Sequence, residues 1–395
     1  MDIFRTGRQA VSLGAAVALL TCCAGQSSID PSPQGFVSPH GPDLRAYHIL
    51  HEFGESAGDG YSPTRGLIVV KGTLYGTTGS GGANNLGTVY SITKSGEETV
   101  LHSFGGNGDG ENPNSELLDV DGVLYGTTEA GGADNKGTVF SITPRGEEKV
   151  LHSFDYSYSN GGPPAGGVTD VNGTLYGVTY WYGVKNRGAV YSLTLQGYEK
   201  SLYSFGTRTN DGENPDSPLL DVDGVLYGTT YQGGKYNRGT VFAVTTRGRQ
   251  HVVYSFVTNG YDDGQYPMGG LAYLEGRMYG TTENGGHGSG TIYSVTTNGT
   301  EKELHSFVGS DGSQPMAGLI AVKNILYGTT FVGGAKNVGS IFSVTPAGSE
   351  TVLHSFSDGT GKNPMARLLV ADHILYGTTH GGYYAHHGGV FSFIP

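Results

Sequence analysis

The chain repeats one short motif seven times: a tyrosine and a glycine, followed by one or two threonines. Successive copies lie 50, 51, 51, 52, 48 and 49 residues apart. They start at Tyr75, Tyr125, Tyr176, Tyr227, Tyr279, Tyr327 and Tyr376. A repeat of this length, rich in strand-forming residues, is typical of a closed ring of small β-sheets. We therefore expect an all-β chain built from seven similar units.

One unit, residues 116–154, contains four strand-like segments. They are residues 117–120, 123–128, 137–142 and 149–154. The first two are separated by Asp121 and Gly122, a pair that favours a tight hairpin turn. The unit is therefore predicted to be an up-and-down meander of four strands, here named a to d.

The two ends of the repeat array complement each other. The seventh unit ends at a strand c, residues 391–395, and lacks a strand d. Residues 47–53 match a strand d that has no unit before it. We predict that residues 47–53 complete the last blade, because this pairing removes a bare sheet edge. The predicted fold is a seven-bladed β-propeller with four-stranded blades.

Four motifs carry a family resemblance: Leu-Tyr-Gly-Thr-Thr, Gly-Gly, Gly-Thr-Val-Phe-Ser and Leu-His-Ser-Phe. Together they resemble the Gloeobacter/Verrucomicrobia tandem repeat, called GloVer, over about residues 47–395. The resemblance implies an exported, often surface-anchored protein of undefined activity, and it supplies no catalytic residues. The turn before strand b also looks like that of quinoprotein-type repeats. Phenylalanine replaces the tryptophan that closes those repeats, so a quinone is not implied and no cofactor of this kind is predicted.

The N-terminal segment is typical of a secretory signal. Arg5 and Arg8 precede a short apolar run, residues 10–20, which is too short for a stable membrane span. Residues 20–24 resemble the bacterial lipoprotein cleavage box, in which Cys23 becomes the lipidated first residue. The alternative is ordinary cleavage after Ala24. We predict a signal peptide at 1–23, a flexible linker at 24–46 and the propeller at 47–395.

Charge and signal together restrict the partners. The formal charge of −12 argues against nucleic acid, whose phosphates need Lys and Arg. The predicted location is the periplasm or the cell surface, with lipid anchoring. The membrane is then contacted only through the N-terminal anchor.

Two recurring polar patterns are predicted to be structural. Histidine recurs on strand d, and Tyr203 and Tyr254 replace it in two units. Because tyrosine can replace it and the copies lie in different blades, we interpret this residue as a hydrogen-bonding aromatic rather than a metal ligand. Asp-Gly-x-x-Pro recurs after strand d, as at Asp109, and is ordinary turn chemistry.

Three aspartates share one position of strand a in blades two, three and four: Asp119, Asp170 and Asp221. Strand a lines the central channel of a propeller, so the carboxylates could face one water-filled space. A divalent cation there would offset their mutual repulsion. The alternative is that each carboxylate accepts a hydrogen bond from its own hairpin.

The loops between strands b and c vary most. They leave the ring on the same side as the d–a loops, so one face, here called the loop face, carries the variable surface. Aromatic residues beside polar groups suit carbohydrate or peptide recognition. The alternative is that they pack against neighbouring loops. The candidate ligand-binding residues are Tyr180, Trp181, Tyr182, Tyr231, Tyr236, His380, Tyr383 and Tyr384.

The favoured function is a non-catalytic binding or interaction module on the cell envelope. The sequence shows no Ser–His–Asp order and no phosphate loop. Glu129 and Glu283 could act as an acid–base pair on a glycosidic bond, but blades two and five are far apart around the ring. Two alternatives stay open: an extracellular polysaccharide lyase or hydrolase that uses the loop face, and a structural or adhesive surface protein.

Overall fold

The structure is a computed structural model that describes residues 47–106, 108–155, 162–257, 263–381 and 387–395. These residues form strands, turns and loops. The described ranges contain no helix, and so none long and apolar enough to cross a membrane. The predictions for the signal peptide at 1–23, the linker at 24–46 and lipidation at Cys23 lie outside the described residues. Tyr383 and Tyr384 lie outside them as well.

Seven antiparallel sheets follow one another along the chain, which confirms the predicted seven-bladed β-propeller. Strand a is Ile68–Val70, Leu118–Val120, Pro164–Val171, Leu220–Val222, Ala272–Leu274, Ile320–Val322 and Leu369–Ala371. Strand b is Thr73–Thr78, Val123–Gly131, Thr174–Thr179, Val225–Gly233, Arg277–Thr282, Ile325–Thr330 and Ile374–Thr379. Strand c is Thr88–Ile92, Thr138–Ile142, Ala189–Thr194, Thr240–Thr245, Thr291–Thr296, Ser340–Val344 and Gly389–Phe393. Strand d is Glu98–Ser103, Glu148–Ser153, Glu199–Ser204, Gln250–Ser255, Glu301–Ser306 and Glu350–Ser355, with Tyr47–Glu52 in blade seven.

The segment Tyr47–Glu52 closes the ring as predicted. It pairs antiparallel with Gly389–Phe393 of blade seven, with Tyr47 opposite Phe393 and Glu52 opposite Gly389. The Tyr47 ring also stacks on His354 of blade six, with centroids 4.4 Å apart. The closing strand is therefore held by backbone pairing within its own blade and by side-chain packing on the preceding blade.

Short extra pairings tie each d–a loop to the b–c loop of the blade that it enters. Gly60–Tyr61 pairs with Ser80–Gly81 in blade one, and Gly264–Gln265 pairs with Asn284–Gly285 in blade five. In blade two, Gly110–Pro113 pairs with the extended end of strand b. The two loop sets therefore share the loop face. The a–b and c–d turns lie at the opposite end, here called the turn face.

An aromatic pair crosses each interface between neighbouring blades. The phenylalanine after strand d of one blade meets the central aromatic residue of strand c in the next blade, edge to face. Ring centroids lie between 4.9 and 5.4 Å apart. The pairs are Phe53–Tyr90, Phe104–Phe140, Phe154–Tyr191, Phe205–Phe242, Phe256–Tyr293, Phe307–Phe342 and Phe356–Phe391. The phenylalanine that replaces the quinoprotein-type tryptophan is thus the contact that joins the blades.

The repeated Tyr-Gly-Thr-Thr motif follows from this packing. A Cβ on Gly126 would lie 2.5 Å from Cζ of Phe140, so only glycine leaves room for the strand c ring. Thr127 Oγ1 donates to the carbonyl of Gly166 in the next blade at 2.7 Å. Thr128 Oγ1 lies 2.9 Å from Oγ1 of Thr138 on strand c. A separate packing or hydrogen-bond contact therefore explains each of the three motif residues that follow the tyrosine.

The histidine position on strand d binds the Asp of the Asp-Gly-x-x-Pro turn. His102 Nε2 lies 3.1 Å from Asp109 Oδ2. At the same position in blade three, Tyr203 OH donates to Asp211 at 2.7 Å. Asp109 also accepts the backbone N–H of Gly110 at 2.7 Å. These contacts confirm the predicted hydrogen-bonding and turn roles.

Candidate functional site

A cavity of about 350 Å³ lies on the axis of the ring, lined by residues from all seven blades. Its walls are the segments that lead from each d–a loop into strand a, from Thr64 in blade one to Met365 in blade seven. Because the d–a loops lie on the loop face, the cavity occupies the loop-face end of the channel. Variable loops therefore surround the cavity.

One side of the cavity is a run of three methionines. Met268, Met316 and Met365 occupy the same repeat position in blades five, six and seven, and they line the cavity together. The whole chain has only five methionines. Thioethers give an apolar, polarisable surface that adapts to irregular shapes. We name these three residues the methionine arc.

The other side of the cavity is charged. Arg367 of blade seven pairs with Glu116 of blade two, at 2.7 Å between Nη2 and Oε1. The pair passes Gly66 of blade one, where a Cβ would lie 3.0 Å from the Glu116 carboxylate. Arg65 Nε donates to Asn114 Oδ1 at 2.6 Å. Both arginines of the cavity wall are therefore already partnered within the protein.

Asp216 of blade four is the carboxylate of the cavity wall without such a partner. It lines the cavity, and the described residues give it no hydrogen bond and no ion pair. Its surface is partly open to the cavity, yet protein surrounds the carboxyl. This burial raises the pKa of Asp216, with Arg65 opposing the shift and Glu129 adding to it. The Asp216 carboxyl therefore has no hydrogen-bond donor among the described residues and is accessible from the cavity, which marks this position as one that a ligand could complete.

Several of the predicted aromatic residues lie on the loop face, in or beside the b–c loops of blades three and four. Trp181 is 49% exposed and meets Tyr180 edge to face at 4.8 Å. Tyr231 stacks on Tyr266 at 5.0 Å and donates to Glu283 Oε2 at 3.0 Å. Tyr266 was not predicted. We name Tyr180, Trp181, Tyr231 and Tyr266 the aromatic rim.

Burial and neighbouring carboxylates raise the pKa values of the rim tyrosines Tyr180 and Tyr231. Burial raises the pKa of Tyr180, and the charges of Asp216 and Glu283 raise it further. Burial, Glu283 and Tyr180 raise the pKa of Tyr231 to about 12. Tyr180 is therefore close to both the cavity wall and Tyr231, and both rings are neutral at physiological pH.

The other predicted aromatic residues lie apart from the rim. The Tyr182 ring lies against Gly162 in the d–a loop of its own blade, with Lys136 Nζ 5.8 Å from the ring centroid. Tyr236 is covered by its neighbour Lys235, at 5.0 Å. His380 is exposed on blade seven. For Tyr182, the contact with Gly162 matches the packing alternative.

The three strand a aspartates are not brought together as a ligand set by any contact of the described residues. Asp119 lines the cavity, but its Oδ1 accepts the N–H of Gly122 at 2.9 Å. Asp221 does the same with Gly224 at 3.0 Å. Asp170 has one buried oxygen without a hydrogen-bond partner among the described residues. Two of the three therefore serve their own hairpins, which is the alternative role.

His, Asp and Glu do come together elsewhere, between neighbouring blades. Three such groups of the described residues have candidate ligand atoms within 4.8 Å of one another: His51/Asp59/Glu98, His102/Asp109/Glu148 and His305/Asp311/Glu350. In blades three and four the equivalent positions hold Tyr203, Asp211 and Gln250, joined by hydrogen bonds. Hydrogen bonding accounts for the His–Asp contacts of two groups, at 3.1 Å for His102 and 3.0 Å for His305. Oε1 of the glutamate in each group has no hydrogen-bond partner among the described residues.

The family profile of the Gloeobacter/Verrucomicrobia repeat matches residues 31–162, 149–320 and 218–395. The chain belongs to this repeat family. The matches overlap and together cover most of the chain, which confirms the resemblance seen in the motifs. Comparison with curated proteins gave no match.

Solved structures similar to this member of the repeat family include propeller enzymes. A candidate 6-phosphogluconolactonase from Bacteroides uniformis has 16% identity and a TM-score of 0.48, covering 74% of this chain and 84% of that one. A mutant puromycin hydrolase complexed with PGG has 13% identity and a TM-score of 0.53, covering 84% of this chain and 52% of that one. At such identities the likeness to the hydrolase concerns the fold alone.

The cavity residues of this repeat protein were missed by reading the motifs. The signal was present at the position three residues before the buried leucine or valine that directly precedes the last three residues of strand a. The seven repeats carry five residue types there: Thr64, Asn114, Ala165, Asp216, Met268, Met316 and Met365. Thr64, Asp216 and the three methionines line the cavity. Motifs report what the repeats share, whereas this site is formed where they differ.

Proposed function

We propose that this GloVer-repeat protein is an exported, envelope-anchored binding module whose ligand site is the axial cavity with its aromatic rim. The observation that carries the proposal is the loss of repeat symmetry at the cavity. The methionine arc occupies one side, and Arg65, Glu116 and Asp216 occupy the other. A ring held together by repeated contacts has no structural need for this difference.

The size of the cavity restricts the ligand. Its volume of about 350 Å³ is near the lower end of small-molecule sites, which span about 300 to 1,000 Å³. A small molecule or the end of a peptide or glycan chain fits such a space. The aromatic rim then offers stacking surface to the part of the ligand that stays outside, as Trp and Tyr commonly do.

Export and anchoring rest on the N-terminal pattern, with Cys23 as the lipidated residue. The topology is compatible with this arrangement. Tyr47 begins the closing strand at the turn face, opposite Phe393. The polypeptide therefore enters the propeller at the turn face, at the end of the blades opposite the loop face.

The binding site is tested by calorimetry with a set of short peptides and oligosaccharides. Met316→Trp fills the cavity and should abolish binding of any ligand that is found. Ile325→Trp adds the same ring to blade six at the turn face and should leave binding unchanged. Trp181→Ala should weaken binding by about 1 to 3 kcal/mol, as for an aromatic anchor. Equal binding by the wild type and Met316→Trp would refute the cavity as the site.

Anchoring is tested separately by fractionation. Cys23→Ser should release the protein from the membrane fraction or block its processing, whereas Cys22→Ser should do neither. Unchanged membrane association and processing of Cys23→Ser would remove the lipid anchor from the proposal.

A further inference from the structure

The charges around the cavity mouth favour a positively charged ligand. Asp216 lies in the wall, and Glu129 is near enough to raise its pKa. Glu283 lies at the rim, bound to Tyr231. The opposing cations are Arg65, engaged by Asn114, Arg367, engaged by Glu116, and Arg238, which lies over the Tyr266 ring. With the Glu116–Arg367 pair neutral as a whole, three carboxylates stand against two arginines.

The rim offers aromatic rings to a cation on the same face of the molecule. A cation over a Tyr or Trp face is stabilised by the ring quadrupole. The rim already shows this contact, because the Arg238 guanidinium carbon lies 5.3 Å from the centroid of the Tyr266 ring. Asn214, two residues before Asp216, donates its side-chain amide to the Tyr180 carbonyl at 3.0 Å, so the Tyr180 loop lies beside the Asp216 segment. A cation near Asp216 would therefore have a carboxylate and aromatic faces within reach.

The methionine arc adds an apolar requirement. Met268 of blade five follows Asp216 of blade four around the ring, so the arc begins next to the carboxylate. A ligand that neutralises Asp216 therefore extends over thioethers, which are poor partners for further charge or hydrogen bonds. The wall thus pairs one anionic position with a continuous apolar surface.

We propose that the axial cavity selects an amphipathic organic cation, which is an apolar chain or ring that ends in an ammonium group. Asp216 is its counter-ion, and the methionine arc is the apolar surface against which the chain or ring packs. The inference rests on the proposed function and names the ligand class for that site. An amine-bearing peptide end or side chain has this chemistry, whereas a neutral glycan does not.

The test uses three probes with the same six-carbon chain and different ends: hexylammonium, 1-hexanol and hexanoate. Binding to the purified propeller is measured by calorimetry at low ionic strength. Hexylammonium should bind about tenfold more tightly than 1-hexanol, since a partly desolvated charge pair contributes beyond apolar contact. Hexanoate should bind most weakly. This comparison needs no variant, so it holds even where a substitution disturbs folding.

Asp216→Asn keeps the shape of the side chain and removes its charge. It should lower hexylammonium affinity to about that of 1-hexanol, by the same tenfold factor, and leave 1-hexanol unchanged. Asp221→Asn on a turn-face hairpin is the matched control and should change neither affinity. Higher salt should weaken hexylammonium binding alone.

The outcomes separate the two proposals. If hexylammonium and 1-hexanol bind equally, or if Asp216→Asn leaves the ammonium preference intact, the ligand class is wrong while the cavity stays a binding site. If Met316→Trp also leaves binding of every probe unchanged, or if none of the probes and none of the peptides and oligosaccharides bind, the proposed function fails with it.

Discussion

The side-chain amide of Gln250 donates a hydrogen bond of 3.4 Å to Asp211 in the loop between blades three and four. Glutamate holds this strand d position in five other blades: Glu98, Glu148, Glu199, Glu301 and Glu350. Burial raises the pKa of Glu350 to about 7, and Asp311 adds to the shift. Glutamine is the uncharged isostere of a protonated glutamate. Its presence in blade four therefore indicates that this position favours an uncharged side chain.

The first prediction concerns pH. Because the folded pKa of Glu350 lies above its ordinary value of 4.5, the folded state binds more protons than the unfolded state between these two values. Its contribution to stability is therefore present at low pH and is lost as pH rises through this window. Glu350→Gln should reduce the loss of stability between about pH 5 and about pH 8 by roughly 1 kcal/mol, measured by urea unfolding.

Gln250→Glu is the matched reverse variant. It places a titratable group beside Asp211 and should make stability fall more steeply with pH. Identical pH profiles for the wild type and both variants would show that these carboxyl groups are not shifted by their surroundings.

The second prediction concerns buried tyrosines. Tyr90, Tyr191 and Tyr293 lie in strand c with hydroxyls that find no hydrogen-bond partner within the described part of the chain. Phe140 and Phe242 hold the same position in blades two and four. Tyr191→Phe should therefore raise the free energy of unfolding, by roughly 0.5 to 1 kcal/mol, because an unpaired buried hydroxyl is removed. Chemical denaturation measures the change.

Tyr203→Phe provides the contrast, since its hydroxyl donates to Asp211 at 2.7 Å. This variant should lower the free energy of unfolding. A loss of stability in Tyr191→Phe as large as in Tyr203→Phe would mean that the Tyr191 hydroxyl has a partner after all.

The third prediction concerns the motif glycine. Gly126→Ala places a Cβ 2.5 Å from Phe140 Cζ and 2.9 Å from Leu117 Cδ2, inside two packed side chains. Overpacking of this kind should lower the free energy of unfolding by about 1 to 3 kcal/mol. Gly79→Ala is the control, because its Cβ would meet nothing closer than the Ser62 carbonyl at 3.7 Å. Thermal unfolding of both variants should separate them clearly; similar midpoints would contradict the packing explanation.

The fourth prediction concerns the closing strand. Tyr47→Ala removes the ring that stacks on His354 at 4.4 Å and on Phe391 at 5.3 Å. We expect a loss of about 3 kcal/mol, as for other large aromatic truncations. Tyr198→Ala is the control, because Tyr198 is 76% exposed. Size-exclusion chromatography should also show association of the Tyr47→Ala variant, since a loosened closing strand exposes a sheet edge.

Tyr47→Phe distinguishes stacking from hydrogen bonding at this position. The hydroxyl of Tyr47 donates to the Thr360 carbonyl, and the phenylalanine variant loses only that bond. It should fall between the wild type and Tyr47→Ala in stability. A Tyr47→Ala variant as stable and monomeric as Tyr198→Ala would show that the ring of seven blades stays closed without the Tyr47 side chain.

The fold could be predicted because its determinants are periodic. Three features recur at nearly constant spacing: Gly126 and its equivalents, the a–b turns and the strand d segments. Because the array has an unpaired strand at each end, the ring of blades can close in only one way. The prediction did not include the ribbon pairing of Gly60–Tyr61 with Ser80–Gly81. These segments look like turns in the sequence, and they pair only because closure of the blade brings two loops together.

The site could be predicted only in part, because it depends on which loops meet at the axis. Tyr180, Trp181 and Tyr231 were identified by their unusual side chains, and the structure joins Tyr180 to Trp181 and Tyr231 to Glu283 on the loop face. Asp119 and Asp221 were identified by their shared position, but the same spacing also suits a hydrogen bond to the hairpin. Asp216 belongs to no motif shared by the repeats, so only the structure shows that it lines the axial cavity.

The closing strand also orders the events of folding. Phe53 directly follows the closing strand and packs on Tyr90 of blade one. This contact joins two segments that are close in sequence. The backbone partner of the closing strand, Gly389–Phe393, is separated from it by almost the entire chain. During synthesis the closing strand can thus dock early on blade one, while its hydrogen bonds wait for Gly389–Phe393. Such distant pairing is slow to form, so blade seven keeps an unpaired edge until its strand c has been synthesised.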